Sequence, residues 1–260
     1  MQPIPRSPSA PPTRRCKLYT SGTTGRPKGV MLTNRNLLET WIRAGQAGID
    51  CYGWAPDDVC LVAMPLAHIG GTGWGVIGLL NGAGLLILRE FDPPTVLGLI
   101  EPERITKLFM VPAALNFLIQ MPGARDIDYS RLKLIFYGAS PIPLELLRQC
   151  MAVFGCGFCQ QYGMTEACGT IVYLPPDDHD PDGNRRMKSA GRAMPGIEKP
   201  TPSVPYRTPV QLLVFQPKSA KNMGIRTPAS INWFVIWKIL TCLHHKPAAG
   251  FVERQVRATG

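Results

Sequence analysis

The chain has 260 residues, 45% of them hydrophobic, with 28 Lys and Arg against 18 Asp and Glu, and a formal net charge of +10. That length and composition exclude a disordered or fibrous chain and leave ample residues to bury a core. No apolar run approaches the roughly 20 residues that a membrane-crossing helix needs.

In chain order, residues 1–15 read as an irregular start. Pro3, Pro5, Pro8, Pro11 and Pro12 would break an amphipathic helix, and no apolar core marks a signal peptide. Up to Lys17 the start carries +4 and no acid. From 16 to 198 short apolar runs alternate with helical stripes, and residues 18–198 carry −2. Strands are predicted at 17–20 and 30–32, joined by the glycine-rich loop 22–29. Thr33 or Asn34 then caps a helix with Leu37, Leu38, Trp41 and Ile42 on one face. Strands follow at 60–64, 85–88, 107–110, 132–136, 157–161 and 170–173. Helices are expected at 69–80, 94–100 and 112–119, and from Pro143 to Phe154. Strands alternating with helices imply an α/β fold of layered parallel sheets with flanking helices. Residues 199–260 change character: five prolines fall between 200 and 217, and the segment carries +8.

Chemistry concentrates in a few motifs. Tyr19-Thr-Ser-Gly-Thr-Thr-Gly-Arg-Pro-Lys-Gly29 interleaves glycines with hydroxyls and ends near a lysine. Backbone amides, hydroxyls and a cation in that pattern suit phosphate oxygens. It is not a Walker A loop, because the Gly-Lys-Ser/Thr ending is missing. Three further segments are Met64-Pro-Leu-Ala-His68-Ile-Gly-Gly, Tyr137-Gly-Ala-Ser-Pro141 and Tyr162-Gly-Met-Thr-Glu166.

These four motifs, in this order, resemble those of the AMP-forming acyl-CoA synthetases, the adenylate-forming superfamily that includes luciferases and peptide-synthetase adenylation domains. The wording from 16 to 198 looks most like bacterial fatty-acid–CoA ligases, as part of their large N-terminal domain. The resemblance implies ATP-dependent activation of a fatty or other carboxylic acid to an acyl-adenylate, then to the CoA thioester, with Mg²⁺ as the metal. By resemblance Thr20, Ser21, Gly22, Thr23, Thr24, Gly25 and Lys28 would hold the β- and γ-phosphates, with Thr20 and Glu166 near the Mg²⁺. Gly138, Ala139, Ser140 and Gln161 would line the base, and Tyr162 of the run continuing through Gly163 and Met164 would stack on adenine. Thr165 would reach a phosphate and His68 would sit beside the acyl carboxylate, so Lys28, Thr165, Glu166 and His68 are the candidate catalytic residues. Taken alone, His68 reads as a histidine packed on a glycine-rich helix and Glu166 as a solvated loop carboxylate; their neighbours favour the site.

The chain departs from the family pattern at both ends. Only 18 residues precede the Tyr19 motif, and no Gly-Asp pair, the family's ribose-holding signature, occurs anywhere. The family's small C-terminal domain, with its adenylation lysine, is not recognisable. The change of composition after Glu198 reads as a shifted frame or a truncated gene, which gives the expectation of little complete ligase activity. The alternatives are an inactive remnant with weak nucleotide binding, or a basic nucleic-acid or membrane-surface binder. No nucleic-acid partner is expected, and peripheral membrane contact stays open. Eight cysteines without a signal peptide imply a reducing, cytoplasmic location. Cys156-Gly-Phe-Cys159 has redox spacing but lies in an apolar stretch, which favours buried strand cysteines. Cys242, His244 and His245 lack a second ligand cluster for a metal.

Overall fold

The computed structural model describes residues 14–21 and 26–197. Gly22, Thr23, Thr24 and Gly25, the start before residue 14 and the tail from 198, with Cys242, His244 and His245, lie outside the described residues. A two-stranded antiparallel ribbon opens the fold, β1 (Arg14–Thr20) against β2 (Lys28–Thr33). The rest is organised on a seven-stranded sheet whose order is β4-β3-β5-β6-β7-β8-β9. Its strands are β3 (Val59–Val62), β4 (Gly84–Ile87), β5 (Lys107–Met110), β6 (Leu134–Gly138), β7 (Gly157–Met164), β8 (Gly169–Leu174) and β9 (Arg192–Ala193).

The helices begin where their sequences supply a cap. α1 (Asn34–Gln46) starts with Thr33, whose hydroxyl accepts from the Asn36 amide at 3.1 Å while Asn36 accepts from the Thr33 amide at 3.0 Å. α2 (Ile69–Leu80) is capped by His68, and α3 (Pro93–Ile100) by Asp92, which accepts from the Thr95 amide. α4 (Pro112–Gln120) has proline as its first residue. α5 (Leu144–Phe154) follows Pro143 and ends on Gly155 at φ 60°.

β3 to β7 pair in parallel, as the alternation of strands and helices implies. The parallel expectation fails for the last strands: β8 and β9 are antiparallel additions to the same sheet. The physical reason is the connection. Only a 3-10 turn, Thr165–Ala167, and Cys168 separate β7 from β8, far too little chain for a parallel crossover. β7 also runs three residues past the predicted 161, which takes Tyr162, Gly163 and Met164 into the strand.

Strand order reverses beside β3. The chain leaves β3 through α2 to edge strand β4, then returns through α3 to β5 on the other side of β3. α2 packs with α1, while α3, α4 and α5 pack side by side, as right-handed crossovers in opposite directions require. The core lies between these layers, where β5 and β6 are buried along their whole length and read as near-continuous apolar runs. The 3-10 turn that follows β7 lies against β2, so the ribbon sits beside the end of β7.

At the amino ends of β3 and β5 lies a buried ion pair. Lys107 Nζ is 3.0 Å from Asp58, with side chains 6% and 2% exposed, and Lys133 reaches the same carboxylate at 2.7 Å. Lys107 also donates to the Gly53 carbonyl and sits 4.2 Å from the centroid of the Trp54 ring. Burial alone would raise the Asp58 carboxyl. Hydrogen bonds from the Ala55 amide, Lys133, Lys107 and Thr106 outweigh it and hold the group below its ordinary value of 3.8. Replacing Asp58 with alanine strands the buried Lys107 ammonium, and urea denaturation should show a loss of about 3–5 kcal/mol. The Asp58 contribution is complete above pH 3.8 and is lost as pH falls through the depressed native value. The acid-side fall in stability should therefore be shallower in Asp58→Ala than in the parent.

Candidate active site

Parallel strands place all their carboxyl ends at one edge, and a crevice opens there where connections leave in opposite directions. A cleft of about 600 Å³ occupies that place, lined from the loops after β3 and β6, from β5, and from the end of β7. Ten of the sequence-predicted site residues line it: Thr20, Ser21, Lys28, His68, Ala139, Gln161, Gly163, Met164, Thr165 and Glu166. They come from four stretches far apart in sequence.

The ribbon supplies the first stretch. Thr20 and Lys28 are register partners across β1 and β2, so a hydroxyl and an ammonium stand opposite each other beside the 22–25 loop. α2 supplies the second. His68 Nδ1 accepts from the Gly70 amide at 3.0 Å, which leaves Nε2 as the protonated nitrogen of the neutral ring. A Cβ at Gly71 would lie 2.3 Å from the Pro65 carbonyl oxygen, so only glycine lets α2 start this close to the loop that carries His68.

The third stretch follows β6, where Ala139 adopts φ 67°. A non-glycine residue held in the left-handed region at the edge of a cleft is a local strain that the surrounding packing must maintain. The fourth is the end of β7. A bulge between Tyr162 and Gly163 breaks the β7–β8 ladder, and Cys168 at φ 61° closes the turn. This turn buries Thr165 and leaves Glu166 exposed on the cleft.

A second cavity, about 940 Å³, adjoins the cleft across the shared residues Ala139, Gln161 and Gly163. It takes in Ser140 and Tyr162, whose ring is 50% exposed. Its far wall is the loop from Asp182 to Ala190. Asp178, 3% exposed, ties that loop down through Arg186 and through Arg192 at 2.9 Å. Behind the cavity Tyr137 Oη lies 3.0 Å from His179 Nε2, and His179 Nδ1 lies 2.9 Å from the Pro175 carbonyl. A carbonyl can only accept, so Nδ1 carries the proton and Nε2 accepts from the phenol. Burial lowers the His179 pKa and keeps that ring neutral.

Of the predicted residues, Gly138 lines neither cavity. It pairs with Gln161 in the β6–β7 ladder, and a Cβ there would fall 2.3 Å from the Gln161 carbonyl oxygen. Its glycine is required by backbone approach. The Cys156–Cys159 spacing is also structural: Cys159 is buried with its sulfur 3.9 Å from Cys51, and burial pushes the Cys156 thiol up to about 12.

Sequence reasoning missed the apolar half of the cleft. Trp41, Ile69, Trp74, Phe109 and Cys168 line it. Trp41 was legible only as part of a helix face and Phe109 only as part of a strand. The loop 182–190 has no period and gave no signal. Gln161 Nε2 donates to Tyr52 Oη at 3.1 Å, a contact between residues 109 apart that no local pattern announces.

The donor set suits a hard cation. Among the described residues no group of three or more His, Cys, Asp or Glu side chains forms a protein-only metal cage. The carboxylate-bearing Glu166 and, among the hydroxyl residues, Thr20 line the same cleft. That fits Mg²⁺, which keeps several waters and is held by one or two carboxylates together with substrate phosphates.

Residues 3–199 match the family model described as AMP-binding enzyme. The chain is 38% identical over 187 residues to a fatty acid–acyl-carrier-protein ligase of Streptomyces coeruleorubidus, covering 72% of this chain and 36% of that protein. It is 36% identical over 175 residues to a medium/long-chain-fatty-acid–CoA ligase of Mycobacterium tuberculosis, covering 67% and 29%. Among solved structures, the N-terminal domain of FACL13 from M. tuberculosis superposes with a TM-score of 0.60 at 28% identity, covering 73% of this chain and 46% of that one. The O-succinylbenzoate–CoA synthetase of Bacillus subtilis, in complex with ATP and magnesium ion, gives 0.57 at 30% identity, covering 68% and 35%. The chain spans about a third of the length of the curated relatives it matches.

One glycine tests the site's framework. A Cβ on Gly163 would lie 1.7 Å from the Gly169 carbonyl oxygen, so Gly163→Ala must push β8 away from the bulge. A loss of about 1–3 kcal/mol in urea denaturation is expected. The same change at Gly45, on α1 with nothing within 4 Å, should be neutral or stabilising.

Proposed function

From the premise that the chain belongs to the AMP-binding enzyme family, we propose that residues 16–198 bind ATP and a carboxylic acid and join them as an acyl-adenylate, the step before thioester formation with CoA. The observation that carries this reading is the convergence of the ribbon, the start of α2 and the end of β7 on one cleft whose lining combines hydroxyls, an ammonium and a carboxylate with tryptophan, phenylalanine and isoleucine side chains.

The residues divide the work by chemistry. Lys28 neutralises phosphate charge, and the hydroxyls of Thr20 and Ser21 donate to phosphate oxygens beside it. Thr20 and Glu166 would hold Mg²⁺, which when bound supplies charge neutralisation on the phosphates. The exposed ring of Tyr162 offers a stacking surface for the adenine, with Ala139, Ser140 and Gln161 along its edge. Buried Thr165 fixes the turn and presents its hydroxyl to the phosphate nearest the acid. His68 stands where the acid's carboxylate meets the cleft and donates from Nε2. Two anionic reactants are brought together here, so positioning and charge neutralisation carry most of the rate. A fatty acid suits the apolar wall of Trp41, Ile69, Trp74 and Phe109. Among the described residues the seven cysteines are free thiols; a cytoplasmic location is part of this proposal. Among the described residues no helix is long and apolar enough to cross a membrane.

Two substitutions separate the two ends of the nucleotide. Tyr162→Ala should weaken ATP and AMP alike, by about 1–3 kcal/mol or roughly five- to 150-fold, since it removes base stacking. Lys28→Ala should weaken ATP by about 1.5–3 kcal/mol and leave AMP nearly unchanged, because only ATP carries the outer phosphates. Calorimetric titration of the full chain reads both. Equal effects of Lys28→Ala on the two nucleotides would contradict the assignment. ATP–pyrophosphate exchange with a range of carboxylic acids then tests the chemistry.

A further inference from the structure

We propose that Cys51 and Cys159 form a redox-active thiol pair, which hydrogen peroxide oxidises to a disulfide whose formation is felt in the cleft through Tyr52. The thiol chemistry goes beyond the acid- and nucleotide-binding reading and is independent of it. Only its consequence for ligand binding rests on that reading.

Segments 108 residues apart bring the two sulfurs together. Cys51 lies in the 3-10 turn Asp50–Tyr52 that follows α1, and Cys159 lies in β7. The sulfurs are 3.9 Å apart, with Cys159 as the hydrogen-bond donor. Cys159 is fully buried, whereas Cys51 lines a third cavity, about 830 Å³, at the amino ends of the strands. That cavity shares no lining residue with the other two, so a small oxidant reaches Cys51 without entering the cleft.

The thiols are also unequal. Burial pushes up the pKa of Cys159 and of every other described cysteine except Cys51. Cys51 is lowered, because the hydrogen bond from Cys159 outweighs its own burial. The thiolate is the nucleophile, so Cys51 reacts first. Its sulfur displaces hydroxide from the O–O bond of hydrogen peroxide and becomes a sulfenic acid, and the hydroxide leaves as water with the proton that Cys51 gave up. The Cys159 sulfur then attacks the Cys51 sulfur. The S–O bond breaks, and its oxygen leaves as a second water with the Cys159 proton. The two thiols lose two electrons between them, and the peroxide gains both.

Bond formation draws the sulfurs together by roughly 2 Å. β7 is held by a strand on each side, so the Asp50–Tyr52 turn is the part that moves. Tyr52 moves with it, and Tyr52 Oη is the acceptor that holds Gln161 Nε2 at 3.1 Å on the wall of the cleft. The Tyr52 ring also stands 5.4 Å from that of Trp41, another cleft residue. Oxidation therefore loosens two cleft side chains from behind.

The test treats the full chain with hydrogen peroxide and maps its cysteines by mass spectrometry without reduction. A peptide pair linked through Cys51 and Cys159, and released by dithiothreitol, is expected. With dimedone present, Cys159→Ala should carry the sulfenic-acid adduct on Cys51, while Cys51→Ala should carry none on Cys159; far-UV circular dichroism checks that both variants fold. In calorimetric titration the oxidised parent should bind ATP roughly two- to tenfold more weakly, the loss of one hydrogen bond. Peroxide should leave the ATP affinity of Cys51→Ala unchanged. Absence of the linkage at a large peroxide excess, or linkage of either thiol to another cysteine, overturns the pair. Linkage with unchanged ATP affinity overturns its coupling to the cleft. Failure of the reduced parent to bind ATP overturns the site reading and leaves the linkage map to decide the thiol pair.

Discussion

Parallel pairing of β3 to β7 sends five carboxyl strand ends to one edge of the sheet, and almost every cleft residue sits at that edge. His68 follows β3, Phe109 lies in β5, Ala139 and Ser140 follow β6, Gln161 to Met164 end β7, and Thr165 and Glu166 follow it. Because the chain leaves β3 toward one face and β5 toward the other, the crossing helices cannot close the gap between them. The cleft is thus a consequence of topology before it is a consequence of any side chain. What the side chains add is chemistry, with hydroxyls, an ammonium and a carboxylate in one lining with two tryptophans.

Two antiparallel features complete what the parallel sheet begins. The tight turn after β7 doubles the chain back and places Thr165 and Glu166 at the rim, made feasible by glycine at 163 and a left-handed Cys168. The ribbon of β1 and β2 then brings Thr20 and Lys28 against that turn from a separate sheet. At the opposite end of the sheet the Asp58–Lys107 pair and its Lys133 neighbour link the starts of β3 and β5. Buried charge there secures the two strands between which the cleft opens, at a distance from the chemistry.

Much of this was legible in the sequence. Period and cap signals located the five α-helices among the described residues, and the motifs at 20–28, 64–71, 137–141 and 162–166, with the adjoining Gln161, named ten residues that line one cleft, because each motif is local and its residue types suit a single task. Gly138 shows the limit of that reasoning: its place in a motif suggested ligand contact, whereas backbone approach to Gln161 explains it. The antiparallel turn of β8 was hidden because its strand pattern does not encode direction; only the length of the connection does. Trp74 and the Gln161–Tyr52 contact were hidden for another reason. A tryptophan in a glycine-rich helix reads as core from sequence alone, and its ring neighbours Trp54, Phe109 and Phe136 come from outside that helix. The net charge of +10 was the least informative feature, since residues 18–198, which include most of the cleft, carry −2.

The central claim is that the ribbon, the start of α2 and the end of β7 form one nucleotide- and acid-binding site. Hydrogen–deuterium exchange of the full chain with and without Mg·ATP tests it most directly. The account predicts joint protection of residues 28–33, 68–73 and 161–170, with the 105–108 region at the far end of the sheet unchanged. Protection confined to one of these segments, or centred on the far end, would contradict it.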